Sequence, residues 1–256
     1  MNKTIIVSNR LPLQVKIDEK KFHITPSVGG LATGMRSVHS EGNSMWIGWS
    51  GLTEEAMTSE ISTKVASAIL KEKCIPVSLN ERDVRDFYFG FSNKTLWPLF
   101  HYFMEFTEFE STQWEAYKSV NQKFADIVIE HANDGDTIWV HDYQLLLLPK
   151  LLKDKNPNIS IGFFLHIPFP SYEIFRTFPW REEILEGMLG ANLIGFHTYD
   201  YERHFLSSIK RILRLEVNFN NIIYHDRIIK VDSFPMGIDY DKFANAALAH
   251  HRFLKN

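Results

Sequence analysis

The chain has 256 residues, of which 45% are hydrophobic and 23% are charged, as is ordinary for a globular protein with a large core. Its formal net charge of −3 gives no electrostatic basis for binding nucleic acid or an anionic membrane. The single cysteine, Cys74, excludes an intrachain disulfide, and no apolar run is long enough for a signal-peptide core or a membrane span. We therefore predict a soluble cytoplasmic protein that binds neither nucleic acid nor a membrane.

The first half of the chain mixes strand-like and helix-like patterns. Thr53 is predicted to cap a helix in which apolar residues recur at four-residue spacing from Met57 to Ile69. Further helices are predicted over 84–91 and 111–131. The predicted strands of this half cover residues 4–8, 45–48 and 75–79.

From about residue 135 onward, predicted strands alternate with predicted helices. The strands cover 137–140, 161–165 and 193–196, and the helices cover 144–153, 172–178, 181–189 and 201–214. Two short strands flank the polar turn His225-Asp226. This alternation predicts right-handed βαβ units in an α/β fold with a mostly parallel sheet, which the first strand is expected to join.

Polar side chains stand at the ends of four predicted strands. The first strand ends in Ser8-Asn9-Arg10, and the later ones are followed by His141-Asp142, by His166 and by His197. Because ligands bind outside the carboxyl ends of parallel strands, this shared edge is the predicted site. Each residue alone has a plainer interpretation, since Arg10 could pair with an acidic neighbour and His166 could be a structural histidine.

A glycine-rich loop, PSVGGLATG, is the second candidate feature. Gly29 and Gly30 would let backbone N–H groups approach a phosphate at the start of a helix. The loop matches neither the GxGxxG dinucleotide pattern nor a P-loop, so a simple turn is the alternative interpretation.

Three aromatic residues form the third feature. Trp49, Tyr88 and Trp97 could stack on the C–H faces of a sugar and donate hydrogen bonds to it. Core packing is the alternative for each of them.

Two other kinds of chemistry are disfavoured. His141-Asp142 has no third ligand at a recognisable spacing, and the chain has no HExxH motif or cysteine cluster, so we predict no metal site. The chain also lacks the G-x-S-x-G elbow of a serine hydrolase.

Taken together, the motifs resemble the trehalose-6-phosphate synthase family. They occur in the family's order and extend from Ile5 to Asp239, over nearly the whole chain. The matching stretches are IIVSNRLP, SVGGLATG, WIGWSG, FYFGFSNKTLWPLFHY, IWVHDYQLLLLP, IGFFLHIPFP, LIGFHT and FPMGID.

The resemblance implies one half of a retaining glycosyltransferase built from two facing Rossmann-like domains, each with a mostly parallel sheet and helices on both faces. Such an enzyme transfers glucose from UDP-glucose to glucose 6-phosphate, forming α,α-trehalose 6-phosphate and UDP. It implies no cofactor, no essential metal and no stable covalent intermediate.

The same resemblance implies roles for particular residues. Glucose 6-phosphate would be bound by Arg10 at its phosphate, by Asp142 at its hydroxyls, and by Trp49, Tyr88 and Trp97. UDP-glucose would be bound by Gly29, Gly30 and His166, with His166 against the transferred glucose. His166 and Asp142 are the expected catalytic residues.

One departure from the family concerns the donor diphosphate. The basic stretch resembling ERLDYxKG that would bind it is absent from the sequence. We therefore expect residues 1–240 to form the N-terminal, acceptor-side domain and residues 241–256 to begin the crossing to a missing C-terminal domain, so that the chain alone is inactive. Three other possibilities remain open. The chain could be a non-catalytic module that binds a sugar phosphate, or half of a retaining transferase with another acceptor. It could also assemble into a homo-oligomer.

Overall fold

The structure, a computed structural model, describes residues 2–18, 21–27, 29–35, 38–39, 42–57, 59–237 and 240. Its main element is a nine-stranded sheet in the order β5-β4-β1-β6-β7-β8-β11-β10-β9, beside a two-stranded sheet of β2 and β3. The strands are β1 Thr4–Arg10, β2 Leu13–Asp18, β3 Lys21–Pro26, β4 Ser44–Trp49, β5 Cys74–Pro76, β6 Thr137–His141, β7 Ser160–Phe164, β8 Leu193–Phe196, β9 Val217–Asn218, β10 Asn221–Tyr224 and β11 Arg227–Ser233.

The strand order creates a switch point at β1. The chain runs outward from β1 to β4 and β5 on one side, and then returns to add β6, β7 and β8 on the other side. All of these neighbours pair in parallel, as does β8 with β11, so their carboxyl ends lie at one edge. In doubly wound sheets, the crevice at such a switch point is the usual ligand site.

Helical segments connect most of the parallel strands. A continuous helical stretch between β5 and β6 includes a π-helix, which is followed by the longest α-helix of the described chain. The α-helices are α1 Gly30–Gly34, α2 Ser59–Lys71, α3 Glu81–Asp83, α4 Trp97–Phe100, α5 Ser111–His131, α6 Leu148–Lys155, α7 Tyr172–Phe175, α8 Arg181–Met188 and α9 Tyr199–Ser208. The π-helices are Val84–Leu96 and Ile209–Leu213, and the 3-10 turns are Glu54–Ala56, Met104–Phe106 and Tyr143–Leu145.

The sheet is covered on both faces, which explains the continuous apolar runs of its strands. In β1, Ile5 and Val7 belong to one buried cluster, and Ile6 belongs to another. The first cluster includes Phe124 of α5, whereas the second includes Ile69 of α2. A strand buried on both faces needs apolar residues at successive positions, and this is the pattern of IIV in the sequence.

These features confirm the predicted α/β class with a mostly parallel sheet and helices on both faces. The predicted helix is present as α2, with Val65 and Ile69 on its buried face, but its predicted cap at Thr53 is wrong. A 3-10 turn follows Thr53, Met57 is extended, and α2 begins only at Ser59. The hairpin of β2 and β3 is absent from the prediction, which assigned no strand between 9 and 44. The turn His225-Asp226 is confirmed, with both residues at positive φ between β10 and β11.

Two further predictions concern the domain boundary and the membrane. Residues 241–256, expected to begin a crossing to another domain, lie outside the described residues, so the domain boundary stays a prediction. No helix in the described part of the chain combines the length and apolar character needed to cross a membrane.

Gly190 allows α6 to approach the end of α8, and we expect alanine there to destabilise the fold. A β-carbon at Gly190 would collide with the backbone of Pro149 and Lys150 in the first turn of α6. Backbone atoms cannot rotate away, so Gly190→Ala should lower the free energy of unfolding by about 1–3 kcal/mol, measured by urea denaturation.

Gly162→Ala in β7 is the matched control for this substitution. The added β-carbon would only touch Trp139 Cδ1 at 3.6 Å, which is ordinary van der Waals contact. If the two variants had equal stability, the proposed collision at Gly190 would be wrong.

Candidate functional site

Arg10 ends β1 and lies on an aromatic support at the switch point. Its guanidinium carbon is 4.1 Å from the centre of the Trp49 ring and 5.8 Å from that of Tyr88. The two rings meet edge to face at 6.0 Å. Stacking on the rings orients the guanidinium, and Tyr88 also accepts a hydrogen bond from it. Because a guanidinium has five N–H donors, others are left to bind an anion.

Trp49 itself is part of the core rather than an open sugar platform. Its side chain is only 3% exposed, and its indole Nε1 donates a hydrogen bond to the Leu52 carbonyl at 2.7 Å. Gly51, at φ 95°, lies so close to Arg10 Nη1 that a β-carbon would collide with it. Trp49 therefore supports Arg10 from below, and its indole N–H is already used.

The π-helix Val84–Leu96 brings Tyr88 and Asn93 to this edge. Phe87 and Phe91 of the same segment are fully buried against Tyr117 of α5, at ring-centre distances of 5.7 and 4.7 Å. These buried rings fix the helix, while Tyr88 stays partly exposed beside Arg10. π-Helical turns are often found at functional sites.

Tyr143 connects the π-helix to the carboxyl end of β6. Its hydroxyl donates a hydrogen bond to Asn93 Oδ1 at 3.0 Å. Its ring is 5.5 Å from that of Trp97, which is 44% exposed and also lies 4.1 Å from the His101 ring. Trp97 thus presents an open aromatic surface near the segment that carries Asp142.

Asp142 links the ends of β6 and β7. Its Oδ1 accepts hydrogen bonds from the backbone N–H groups of Tyr143, at 3.0 Å, and His166, at 3.2 Å. Burial nevertheless raises the pKa of the Asp142 carboxyl to about 6. Its backbone, at φ 76° and ψ 170°, lies in a region that only glycine adopts readily, so this residue is held in a strained conformation.

Helix α5 secures the turn after Asp142 with buried polar groups. The Tyr117 hydroxyl donates to the Tyr143 carbonyl at 2.7 Å and accepts from Leu146 N at 3.0 Å. Asn121 Nδ2 donates to the Gln144 carbonyl at 3.0 Å. These contacts oppose relaxation of the strained residue.

Three histidine rings form a cluster at the ends of β6, β7 and β8. His141 Nδ1 and His166 Nε2 are 3.0 Å apart, and the His166 and His197 rings are 5.4 Å apart. Burial, reinforced by the neighbouring imidazole, lowers the pKa of His141 to about 3 and that of His166 to about 4. Burial also lowers the pKa of His197. Within the described chain, no group of three or more His, Cys, Asp or Glu residues is placed to hold a metal ion.

The glycine-rich loop lies at the start of α1. Gly29 and Gly30 are exposed, Gly29 N donates to Ser27 Oγ at 3.3 Å, and α1 begins at Gly30. A β-carbon at Gly34 would lie 2.9 Å from Met236 Cε, so α1 lies against the segment that follows β11. The roles predicted for Gly29 and Gly30 stay predictions.

Sequence reasoning placed Arg10, Asp142 and His166 at one edge, and the structure brings Asp142 and His166 into direct contact. It missed the positioning contacts of Asn93 and Tyr143, which are separated by 50 positions. The sequence places His141 at the same edge, but it does not predict the contact of His141 with His166. Adjacent strand ends carrying His141 and His166 were the available signal for their contact, but pairing depends on strand order.

The buried histidines should make the fold less stable in acid. The unfolded chain titrates histidine near pH 6.5, but in the folded chain His141 and His166 stay neutral down to about pH 3 and about pH 4. As pH falls below 6.5, the unfolded state therefore binds more protons, and the free energy of unfolding falls by up to about 1.4 kcal/mol per pH unit for each histidine.

The test compares wild type with His141→Asn by urea denaturation between pH 7 and pH 4.5. The Asp142 pKa of about 6 acts in the opposite direction, since the folded state takes up that proton first, and it is shared by both proteins. The variant should therefore lose less stability on acidification. Equal losses would show that His141 does not contribute.

Known proteins resemble this chain in sequence. The sequence model of Glycosyltransferase family 20 matches residues 2–253. An α,α-trehalose-phosphate synthase [UDP-forming] from Pichia angusta is 45% identical over 94% of this chain and 52% of its own length. A bifunctional trehalose-6-phosphate synthase/phosphatase from Thermoproteus tenax is 42% identical over 95% of this chain and 34% of its own length. The chain thus spans about half or less of these curated relatives.

Solved structures share the fold over a similar extent. The UDP-forming α,α-trehalose-phosphate synthase from Burkholderia xenovorans matches with a TM-score of 0.79 and 33% identity, over 97% of this chain and 51% of that one. A Candida albicans trehalose-6-phosphate phosphatase N-terminal domain matches with a TM-score of 0.80 and 34% identity, over 94% and 50% of the two chains. The match of the family model over almost the whole chain shows that this protein belongs to glycosyltransferase family 20.

Proposed function

We propose that this chain is the acceptor-side half of a UDP-forming α,α-trehalose-phosphate synthase. The enzyme would transfer glucose from UDP-glucose to glucose 6-phosphate with retention of configuration, without a metal ion or cofactor. The observation that carries the proposal is Arg10, held on Trp49 beside Tyr88 at the same sheet edge as Asp142 and His166. The names of the similar synthases support the reaction.

The acceptor would bind at the switch point between β1 and β6. Arg10 would pair with its phosphate, because a guanidinium offers two parallel N–H groups to phosphate oxygens. Tyr88 would donate its hydroxyl to the same phosphate, and the exposed ring of Trp97 would lie against the sugar. Asp142, as an ionised carboxylate, would accept hydrogen bonds from the acceptor hydroxyls. Trp49 would act by supporting Arg10.

The transferred glucose would lie near the histidine cluster. His166 would contact a polar group of this sugar, and Gly29 and Gly30 would allow the donor to approach the backbone. The solved trehalose-6-phosphate structure from E. coli, bound with UDP-2-fluoro glucose, matches this chain with a TM-score of 0.79 and 30% identity, which supports UDP-glucose as the donor. Groups for the diphosphate would come from a second domain, to which residues 241–256 would lead.

Three finer expectations belong to the same proposal. The protein would act in the cytoplasm, where UDP-glucose and glucose 6-phosphate would be its substrates. The second domain of the same polypeptide would be its structural partner. A homo-oligomer is an open alternative to a monomer.

A second candidate is a sugar-phosphate-binding module without transferase activity. The phosphatase N-terminal domain from Candida albicans favours it, because a domain of that name has the same fold at 34% identity. Such a module would retain the acceptor site without using it for transfer.

The experiment uses the chain alone and a polypeptide that extends it to the length of its relatives. The chain should fold and show no turnover, whereas the extended protein should release UDP only when both substrates are present and form an α,α-linked sugar phosphate, identified by NMR. Binding of glucose 6-phosphate without UDP release in the extended protein would favour the second candidate, the binding module without transferase activity. If the extended protein neither bound the sugar phosphate nor turned over, both candidates would be wrong.

A further inference from the structure

His141 is a buried histidine to which the proposed function gives no role. It ends β6, its side chain is fully buried, and its Nδ1 lies 3.0 Å from Nε2 of His166. The other nitrogen, His141 Nε2, is a buried atom without a hydrogen-bond partner among the described residues. A buried polar atom without a hydrogen bond costs free energy. Whether His141 Nε2 carries a proton therefore matters for the contact with His166.

One hydrogen bond joins the two rings, and either ring could be its donor. Both imidazoles have lowered pKa values, and are therefore neutral near pH 7, each with one N–H. If His166 donated from Nε2, the proton of His141 would sit on Nε2, as a buried N–H without an acceptor. If His141 donates from Nδ1, the unpaired Nε2 carries only a lone pair. Orphaned buried N–H groups are rarer in proteins than under-satisfied acceptors, which favours His141 as the donor.

The proton of His166 must then lie on Nδ1. This atom has no partner among the described residues and is not one of the buried unpaired atoms, so solvent can reach it. With its Nε2 lone pair already occupied, His166 can donate a hydrogen bond outward but has no free nitrogen lone pair with which to accept a proton.

We propose that His141 is a positioning residue that holds His166 in the Nδ1–H tautomer, making His166 a hydrogen-bond donor toward solvent at the carboxyl edge of the sheet and not a general base. The partner of this donor is an oxygen lone pair, as on a sugar hydroxyl or a phosphate. The role in sugar transfer rests on the proposed function, whereas the tautomer is a property of the chain without ligand.

The tautomer can be measured directly in the 256-residue chain. Protein labelled with ¹⁵N-histidine is studied by long-range ¹H–¹⁵N correlation at pH 7.5, and loss of signals in His166→Gln and His141→Asn assigns the two rings. We expect a protonated Nδ1 and an unprotonated Nε2 on both His166 and His141. A protonated Nε2 on His166 would overturn the proposal.

Two substitutions at His141 separate the hydrogen bond from packing. The side-chain amide of His141→Asn can donate from nearly the same position, so His166 should remain in the Nδ1–H form. His141→Leu fills the site without a donor, and Nε2–H should then become detectable on His166. An unchanged tautomer in folded His141→Leu would show that His141 does not control it. If thermal denaturation shows that His141→Leu is not folded, the spectra of wild type and His141→Asn still decide the proposal.

A kinetic measurement connects the tautomer to transfer. In the polypeptide extended to the length of its relatives, loss of this one neutral hydrogen bond should lower kcat by about 2–10-fold in His141→Leu, with recovery in His141→Asn. Equal kcat values in wild type and His141→Leu would refute the positioning role. A wild-type protein without any transferase activity would instead contradict the proposed function, while the NMR result would still test the tautomer.

Discussion

Arg10→Ala is expected to lower the specificity constant for glucose 6-phosphate by about 10–150-fold, the equivalent of a charge-assisted hydrogen bond of about 1.5–3 kcal/mol. Arg10 is the cation at the end of β1, supported by Trp49 and adjacent to Tyr88. Unphosphorylated glucose, used as a forced acceptor, should lose far less. The measurement is UDP release with each acceptor, in a polypeptide extended to the length of the relatives.

Arg85→Ala is a matched control in the same region. Arg85 is an exposed arginine three positions before Tyr88, and it pairs with Asp86 at 2.8 Å rather than with the aromatic support. Because exposed ion pairs contribute little, this variant should keep both acceptor constants. If Arg10→Ala penalised glucose and glucose 6-phosphate equally, Arg10 would not serve the phosphate, and the proposed acceptor orientation would have to be abandoned.

The strained backbone at Asp142 leads to the second large effect. Asp142→Gly and Asp142→Ala both remove the carboxylate that accepts from Tyr143 N and His166 N, but only glycine relaxes the backbone at φ 76° and ψ 170°. Strain of about 1–3 kcal/mol, less about 0.4–1 kcal/mol for the greater freedom of glycine in the unfolded chain, leaves the glycine variant more stable than the alanine variant by about 0–2.6 kcal/mol. Urea denaturation of the chain measures the difference.

The same pair of substitutions at Ser119 provides a control with the opposite sign. Ser119 is exposed in the middle of α5, where the alanine variant should be more stable than the glycine variant by about 1 kcal/mol. If alanine were also the more stable residue at position 142, the inferred strain would be wrong. If glycine is favoured there, the native aspartate is retained at a cost in stability, as is common for residues that serve a site.

Local patterns in the sequence were sufficient for the class of fold and for the edge on which the site lies. Ile5, Ile6 and Val7 form a run that only a strand covered on both faces can bury, and alternation of such runs with helices implies a parallel sheet. Parallel strands place their carboxyl ends together, so the positions of Arg10, Asp142 and His166 followed from where each run stopped. Burial and backbone period are properties of neighbouring residues, and the sequence expresses them directly.

The tertiary structure alone decided how those residues are held. Trp49 lies beneath Arg10 because β4 is next to β1, and His141 contacts His166 because β7 is next to β6. Tyr143 donates a hydrogen bond to Asn93 because the π-helix packs against the turn after β6. The hydrophobic periodicity of the sequence does not show which strands are neighbours, because the strand order results from packing the whole sheet against its helices. The strain at Asp142 and the proton on His166 depend on atoms brought within hydrogen-bond distance only after that packing is complete.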